Sequence, residues 1–131
     1  EFPNALELAL KLRETTGAFG AGYSAADLLH GPIASAGDGV PALLLSTEAA
    51  TMESMEVARQ RLTAAGSPTI TLRAGGGASD GTSIRLPDGP AGPLSAPVTA
   101  IAGLALVEAI ATGRGRNPDA PAGLTKVTKT L

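Results

Sequence analysis

The sequence predicts an α/β fold in which helices cover both faces of a parallel sheet. Short runs of β-forming residues alternate with helical segments, an order typical of parallel sheets. Hydrophobic residues make up 44% of the chain but aromatic residues only 2%, and small aliphatic side chains let helices pack closely on a sheet. A length of 131 residues suits one domain.

Four helices are predicted, over residues 4–14, from residue 24 to the turn at Gly31-Pro32, over 48–65 and over 94–112. Asn4 and Glu7 have the spacing of a capping box at the start of the first helix, and Ser24 and Asp27 have it at the second. The fourth segment is so apolar that we expect other elements to cover it on more than one side.

Three strands are predicted, over residues 40–45, 69–73 and 82–86, with loops at 75–81 and 87–93. The first is a continuous apolar run, which indicates a buried strand with neighbours on both sides. The chain nevertheless begins directly in a helix. We therefore expect a sheet that lacks its first strand here, and a chain that is one part of a longer protein.

Composition excludes several kinds of site. A net charge of −2 gives no sign of nucleic-acid or anionic-membrane binding. The absence of cysteine and the single histidine argue against disulfides, thiolate catalysis and a transition-metal site. Gly75-Gly76-Gly77 lacks the spacing of a dinucleotide-binding loop, so no cofactor is expected. Without a signal peptide or an apolar run of ~18 residues, we expect a cytoplasmic protein.

Few residues could carry chemistry. His30, before a forced turn, suits proton transfer, although its position alone is more typical of a surface histidine at a helix C-terminus. Glu14 could act as a general base, or it could belong with Lys11 to a solvated stripe on the first helix. Lys126 and Lys129 lie in the tail, where an amine could reach a carbonyl or simply be solvated.

Residues 46–51 follow a predicted strand and open a helix, a position where hydroxyls and backbone N–H groups hold phosphates. Glu48 would repel an anion there, and no glycine allows close backbone approach. Helix capping by Ser46 or Thr47 is the preferred interpretation.

Three ordered stretches resemble the sugar isomerase (SIS) domain family. Residues 9–14 resemble its A-L-K-L-K-E helix, and residues 23–34 its Y-x-A-G-E-L-x-H-G-P-x-A element. Residues 115–128 resemble its G-x-x-P-D-x-P-x-x-L-x-K-V-T tail. The likeness extends to the second SIS subdomain of the glucosamine-6-phosphate synthases, so residues 1–131 are expected to form a C-terminal SIS subdomain.

The resemblance implies a flavodoxin-like αβα fold. It also implies aldose–ketose isomerisation of a phosphorylated hexose or amino sugar, a reaction that some family members couple to amination or deamination. Glu14 matches the base that moves a proton between C1 and C2. His30 matches the histidine of ring opening, which family members can contribute across a dimer interface. Lys126 matches a Schiff-base lysine and Lys11 a further substrate-binding lysine. The implied partners are an N-terminal SIS subdomain and a second copy of the chain.

The sequence departs from the family pattern near this site. Residues 19–23 read F-G-A-G-Y where the synthases typically have H-A-E-A-Y. Asp27 replaces glutamate, Ala26 replaces glycine, and Ala122 stands where the tail often carries arginine. The family's S-x-S-G-x-T phosphate loop is absent, so we expect the isolated chain to be inactive. A non-catalytic module that binds sugar phosphates, or a purely structural half, is the alternative.

Overall fold

A computed structural model of the chain describes residues 1–74, 82–87 and 95–124. The helices are α1 (Phe2–Thr16), α2 (Ala25–Leu29), α3 (Met52–Ala64) and α4 (Ser95–Gly113), and the strands are β1 (Ala42–Ser46), β2 (Thr69–Arg73) and β3 (Ser83–Arg85). Two 3-10 turns, Pro32–Ser35 and Ala49–Thr51, complete the regular structure. The predicted loop at 75–81 and nearly all of that at 87–93 lie outside the described residues.

The three strands form one parallel sheet in the order β1-β2-β3, which confirms the predicted α/β class. Leu45 is paired with Leu72, and Leu72 with Ile84. Strand β1 begins at Ala42, two residues later than predicted, because the N–H of Val40 closes a turn on Gly37. Within the described residues β1 has β2 as its one neighbour, so the further strand stays a prediction.

Helices lie on both faces of the sheet because side chains of a strand alternate between its two faces. On one face Leu45 and Leu72 pack with Leu8 of α1 and Val107 of α4. On the other face Leu44, next to Leu45, packs with residues of α3 and α2, namely Ala58, Leu62, Ala25 and Leu28. Helices α1 and α2, which carry candidate site residues, are therefore on opposite faces.

The capping prediction at α1 is wrong. Helix α1 begins at Phe2, because Pro3 is preorganised for a first helical turn and Asn4 already lies inside the helix. The amide of Asn4 instead donates to the carboxylate of Glu1 and to the backbone oxygen of Ala96, both at 2.8 Å.

The equivalent prediction at α2 is confirmed. The hydroxyl of Ser24 accepts a hydrogen bond from the backbone N–H of Asp27 at 3.1 Å. It also donates to the Asp27 carboxylate at 2.6 Å. Ser24 is thus the residue that starts this short helix.

Helix α3 starts later than predicted. The chain after β1 first makes the 3-10 turn over 49–51, in which the N–H of Thr51 donates to the backbone oxygen of Glu48, and α3 follows from Met52. Its end agrees with the prediction, since Gly66 has a positive φ of 87° that stops the helix.

Helix α4 buries one side only. Its buried residues, Thr99, Gly103, Val107 and Ala111, recur every fourth position and face α1 and the sheet. Gly103 is small enough for Leu8 of α1 to lie directly against it. On the other side Ile101 is 70% exposed and Leu104 41%. The expectation that α4 is covered on more than one side is wrong for the described part of the chain.

By length and composition alone α4 could cross a membrane, since its most apolar 18-residue stretch has a mean hydropathy of 1.6. This differs from the expectation that no segment would qualify. Core helices of soluble proteins share these properties, and α4 packs against α1 and β2.

Candidate active site

Two of the predicted site residues meet on α1. The ammonium of Lys11 donates to a carboxylate oxygen of Glu14 at 2.8 Å and lies 3.8 Å from the carboxylate of Glu7. The hydrogen bond to Glu14 raises the pKa of Lys11, outweighing the small opposing effect of burial. Lys11 is therefore cationic at neutral pH, and it fixes the Glu14 carboxylate on the last turn of α1.

The end of α1 is fixed by Thr16, which is 1% exposed. Its hydroxyl donates to the backbone oxygen of Leu12 at 2.6 Å and accepts from the N–H of Ala18 at 3.0 Å. Gly17 then leaves the helix with a positive φ of 68°. The turn carrying Glu14 thus has a defined end rather than a frayed one.

A cavity of about 230 Å³ opens beside this turn. Thr15, the neighbour of Glu14, lines one side, and Arg116, Asn117 and other residues from 115 to 122 line the rest. The guanidinium of Arg116 lies so close to Gly17 that a β-carbon there would be 2.9 Å from Nη2. The structure therefore places part of the family-like tail next to the family-like helix.

Arg116 was not among the predicted site residues. Its signal was only its place within the tail block, next to Gly115 and Asn117. The packing of α4 determines which face of α1 the tail block approaches. Spacing along the chain therefore could not assign Arg116 to this cavity.

Beyond Gly17 the chain turns back along α1. A β-carbon at Gly20 would lie 3.2 Å from the backbone oxygen of Ala9, and one at Gly22 only 2.6 Å from that of Ala5. Ala5 precedes Glu14 by nine residues, about 13 Å along a helix axis. The second family-like block therefore begins near the far end of α1 from Glu14.

His30 does not join Glu14 in this chain. It is the exposed C-terminal cap of α2, and its backbone N–H donates to the carbonyls of Ala26 and Asp27 at 3.2 and 3.3 Å. Helix α2 packs against α3, across the sheet from α1. The structure thus brings together Lys11 and Glu14 but places His30 on the opposite face.

Comparisons with known proteins identify the relatives of this chain. It is 32% identical over 124 residues to the glutamine–fructose-6-phosphate aminotransferase (isomerizing) of Halobacterium salinarum, covering 95% of this chain and 21% of that protein. The Pyrococcus horikoshii protein of that name is 35% identical over 128 residues, with coverage of 95% and 21%. No protein-family model matches the chain.

Two solved structures share its fold. The C-terminal domain of glucosamine-fructose-6-phosphate aminotransferase from Francisella tularensis matches with a TM-score of 0.77 and 24% identity, covering 88% of this chain and 34% of that one. Glucosamine-6-phosphate deaminase from Thermotoga maritima matches with a TM-score of 0.70 and 26% identity, covering 95% and 36%. The chain therefore has the SIS domain fold, and its relatives by sequence are isomerising aminotransferases.

This SIS domain spans about a fifth (21%) of the length of the curated relatives it matches. It spans about a third of the two solved chains, 34% and 36%. The flavodoxin-like αβα fold expected from the sequence therefore corresponds to one part of each relative.

The remaining predicted site residues of the SIS domain have different outcomes. Lys126 and Lys129 lie outside the described residues. Neither Ser46 nor Thr47 caps a helix, because the cap of the 3-10 turn is Glu48 and the Thr47 hydroxyl donates to Glu1 at 2.5 Å. In the described ranges no three His, Asp or Glu residues are grouped as a metal site would need.

Proposed function

We propose that this SIS domain is the C-terminal part of an enzyme that isomerises a phosphorylated hexose or amino sugar, such as fructose 6-phosphate or glucosamine 6-phosphate. The observation that carries the proposal is the Lys11–Glu14 pair near the C-terminal end of α1, next to Thr15, which lines the cavity formed with residues 115–122. The names of its relatives, an isomerising aminotransferase and an aminosugar-phosphate deaminase, support the substrate class.

Aldose–ketose isomerisation needs a base that moves a proton between two adjacent carbons. We assign this role to Glu14, whose carboxylate is oriented by the Lys11 ammonium at 2.8 Å. The cationic Lys11 is proposed to stabilise the negative charge that develops on the sugar oxygens. Lys126 is proposed to form a Schiff base with the keto sugar, releasing water, which would acidify the neighbouring C–H.

His30 is proposed to assist opening of the sugar ring. Because it lies across the sheet from Glu14, it would serve a site on another copy of the chain. A homodimer is therefore part of the proposal, as is an N-terminal SIS subdomain that holds the phosphate. A cytoplasmic location is proposed with them. The isolated domain is expected to be inactive.

A non-catalytic module that binds sugar phosphates is the second candidate. It is favoured by the segment after α1, where the described residues 18–23 hold no acid or base other than the Tyr23 phenol. Phe19, at the place of the synthases' histidine, is 88% exposed.

Borohydride trapping separates the two candidates. The intact protein that contains this domain is incubated with fructose 6-phosphate and sodium borohydride, and its peptides are measured by mass spectrometry. An enzyme that uses Lys126 gives a reduced sugar adduct on Lys126, absent in Lys126→Arg and retained in the matched control Lys129→Arg. A wild-type protein without an adduct, or an adduct that persists in Lys126→Arg, contradicts the Schiff-base assignment.

A further inference from the structure

A second cavity lies on the sheet face opposite to Glu14. It has a volume of about 290 Å³, is partly open to solvent, and is lined by residues of β1, β2, β3 and helix α3. Its polar lining consists of the hydroxyls of Ser46, Thr71 and Ser83 together with Arg59, Arg73 and Glu56. This volume lies just below the ~300–1,000 Å³ typical of ligand pockets.

The register of the strands brings the donors together. Ser46 is paired with Arg73, and Thr71 with Ser83, so that two neighbouring rows of the sheet present polar groups on one face. Ser46 and Arg73 are also the last residues of β1 and β2. Ligands of open parallel sheets bind outside these carboxyl ends.

The charges in the cavity are unequal. Arg59 donates to both oxygens of Glu56, at 2.8 and 2.7 Å, and Gln60 donates to the same carboxylate at 2.9 Å. The hydrogen bond from Arg59, then that from Gln60, lowers the pKa of Glu56 to about 2, and the charge of Arg73 contributes. Glu56 is thus an ionised carboxylate whose oxygens are already engaged.

Arg73 has a different environment. It is half-buried, and its guanidinium makes no hydrogen bond or salt bridge with any residue that the structure describes. Arg85 stands at the paired position on β3, so a second guanidinium lies on the neighbouring strand.

We propose that this cavity binds the phosphate group of a small phosphorylated ligand, at a site separate from Glu14. Guanidinium and hydroxyl groups are the donors that phosphate oxygens accept from most readily. Arg73 would hold the anion, and Ser46, Thr71 and Ser83 would donate to its remaining oxygens. The small volume admits a phosphate with a short attached group.

Calorimetric titration of the intact protein tests this site. The probes are inorganic phosphate and glycerol 3-phosphate, at matched ionic strength. One saturable binding event is expected beyond that of the phosphate site proposed in the N-terminal SIS subdomain. It should be weakened at least tenfold in Arg73→Gln and unchanged in Arg61→Gln, which removes an exposed arginine of α3 outside the cavity. Tighter binding of the ester than of phosphate would identify an ester as the ligand, and equal binding would identify the phosphate group alone.

Binding that is undiminished in Arg73→Gln, or no saturable binding of either probe to the wild type, overturns the proposal. If Arg73→Gln fails to fold, Ser83→Ala removes one donor and is expected to weaken binding severalfold. Glu14→Gln should leave the affinity unchanged, which separates failure of this site from failure of the proposed isomerisation.

Discussion

Thr16 shows how one polar side chain defines the candidate site. It is almost completely buried, and its hydroxyl both donates to Leu12 and accepts from the N–H of Ala18. These two bonds close the last turn of α1 and start the reversal that follows. A threonine near a helix end is common, so its sequence context gave no sign of this role.

Replacing Thr16 by valine keeps the shape of the side chain and removes both bonds. The N–H of Ala18 would lose its partner, and we expect the free energy of unfolding to fall by about 1–3 kcal/mol. Thr63→Val, at an exposed position of α3, is the matched control and should change it little. Urea denaturation monitored by circular dichroism measures both, and equal stability of the two variants would contradict the structural role.

Local spacing predicted the Lys11–Glu14 pair, because residues three apart on a helix are neighbours. The same reasoning could not assign His30, because the face on which a five-residue helix packs depends on the rest of the fold. It also missed Arg73, and it preferred helix capping over phosphate binding for Ser46, because the meeting of these two residues depends on strand register. Two contacts within an element, the Lys11–Glu14 pair and the Ser24 cap, were predictable, although the capping box at Asn4 was not formed; contacts between elements were not predictable.

At the scale of elements, Gly20 and Gly22 are glycines for a steric reason, because a β-carbon at either position would lie against the backbone of α1. In the structure the chain that returns after Gly17 lies directly on α1. A β-carbon at Gly22 would be 2.6 Å from the backbone oxygen of Ala5 and 2.9 Å from the N–H nitrogen of Leu6. Backbone atoms of a helix cannot move aside as a side chain can.

We therefore expect Gly22→Ala to lower the free energy of unfolding by about 1–3 kcal/mol through overpacking. Gly113→Ala is the matched control, since a β-carbon there would meet no atom within 4 Å. That change should leave stability unaltered or raise it by up to about 1 kcal/mol through helix propensity. Thermal and urea unfolding distinguish them, and a stable Gly22→Ala protein would refute the close approach.

The types of the elements were predictable from the sequence, whereas their boundaries and the number of sides on which each is packed were less so. The three predicted strands and four predicted helices are all present. In each segment the hydrophobic periodicity and the flanking turn residues indicate the same type of element. The start of α3 was misplaced because the chain first makes a 3-10 turn. The coverage of α4 was misjudged because apolar composition cannot show on how many sides a helix is packed.

At the scale of the whole molecule, the sheet separates the predicted catalytic groups. Lys11 and Glu14 lie on the face covered by α1 and α4, while His30 lies on the face covered by α2 and α3. The domain also spans only about a fifth (21%) of its curated relatives. A complete sugar site, as proposed, therefore needs residues from more than this one folded unit.

The most direct test measures turnover of fructose 6-phosphate by two variants of the intact protein, Glu14→Gln and His30→Ala, singly and after their subunits are mixed and reassociated. Each variant alone is expected to lose at least about a hundredfold in turnover, the lower range for general acid–base catalysis. Glu53→Gln, on exposed α3, is the control that should retain it.

In the reassociated mixture we expect turnover to return to roughly a quarter of the wild-type value, because half of random dimers are mixed and each has one intact site. Recovery to that level would show that Glu14 and His30 act in one site built by two copies. Full turnover by Glu14→Gln alone, or a mixture as inactive as either variant, would contradict it.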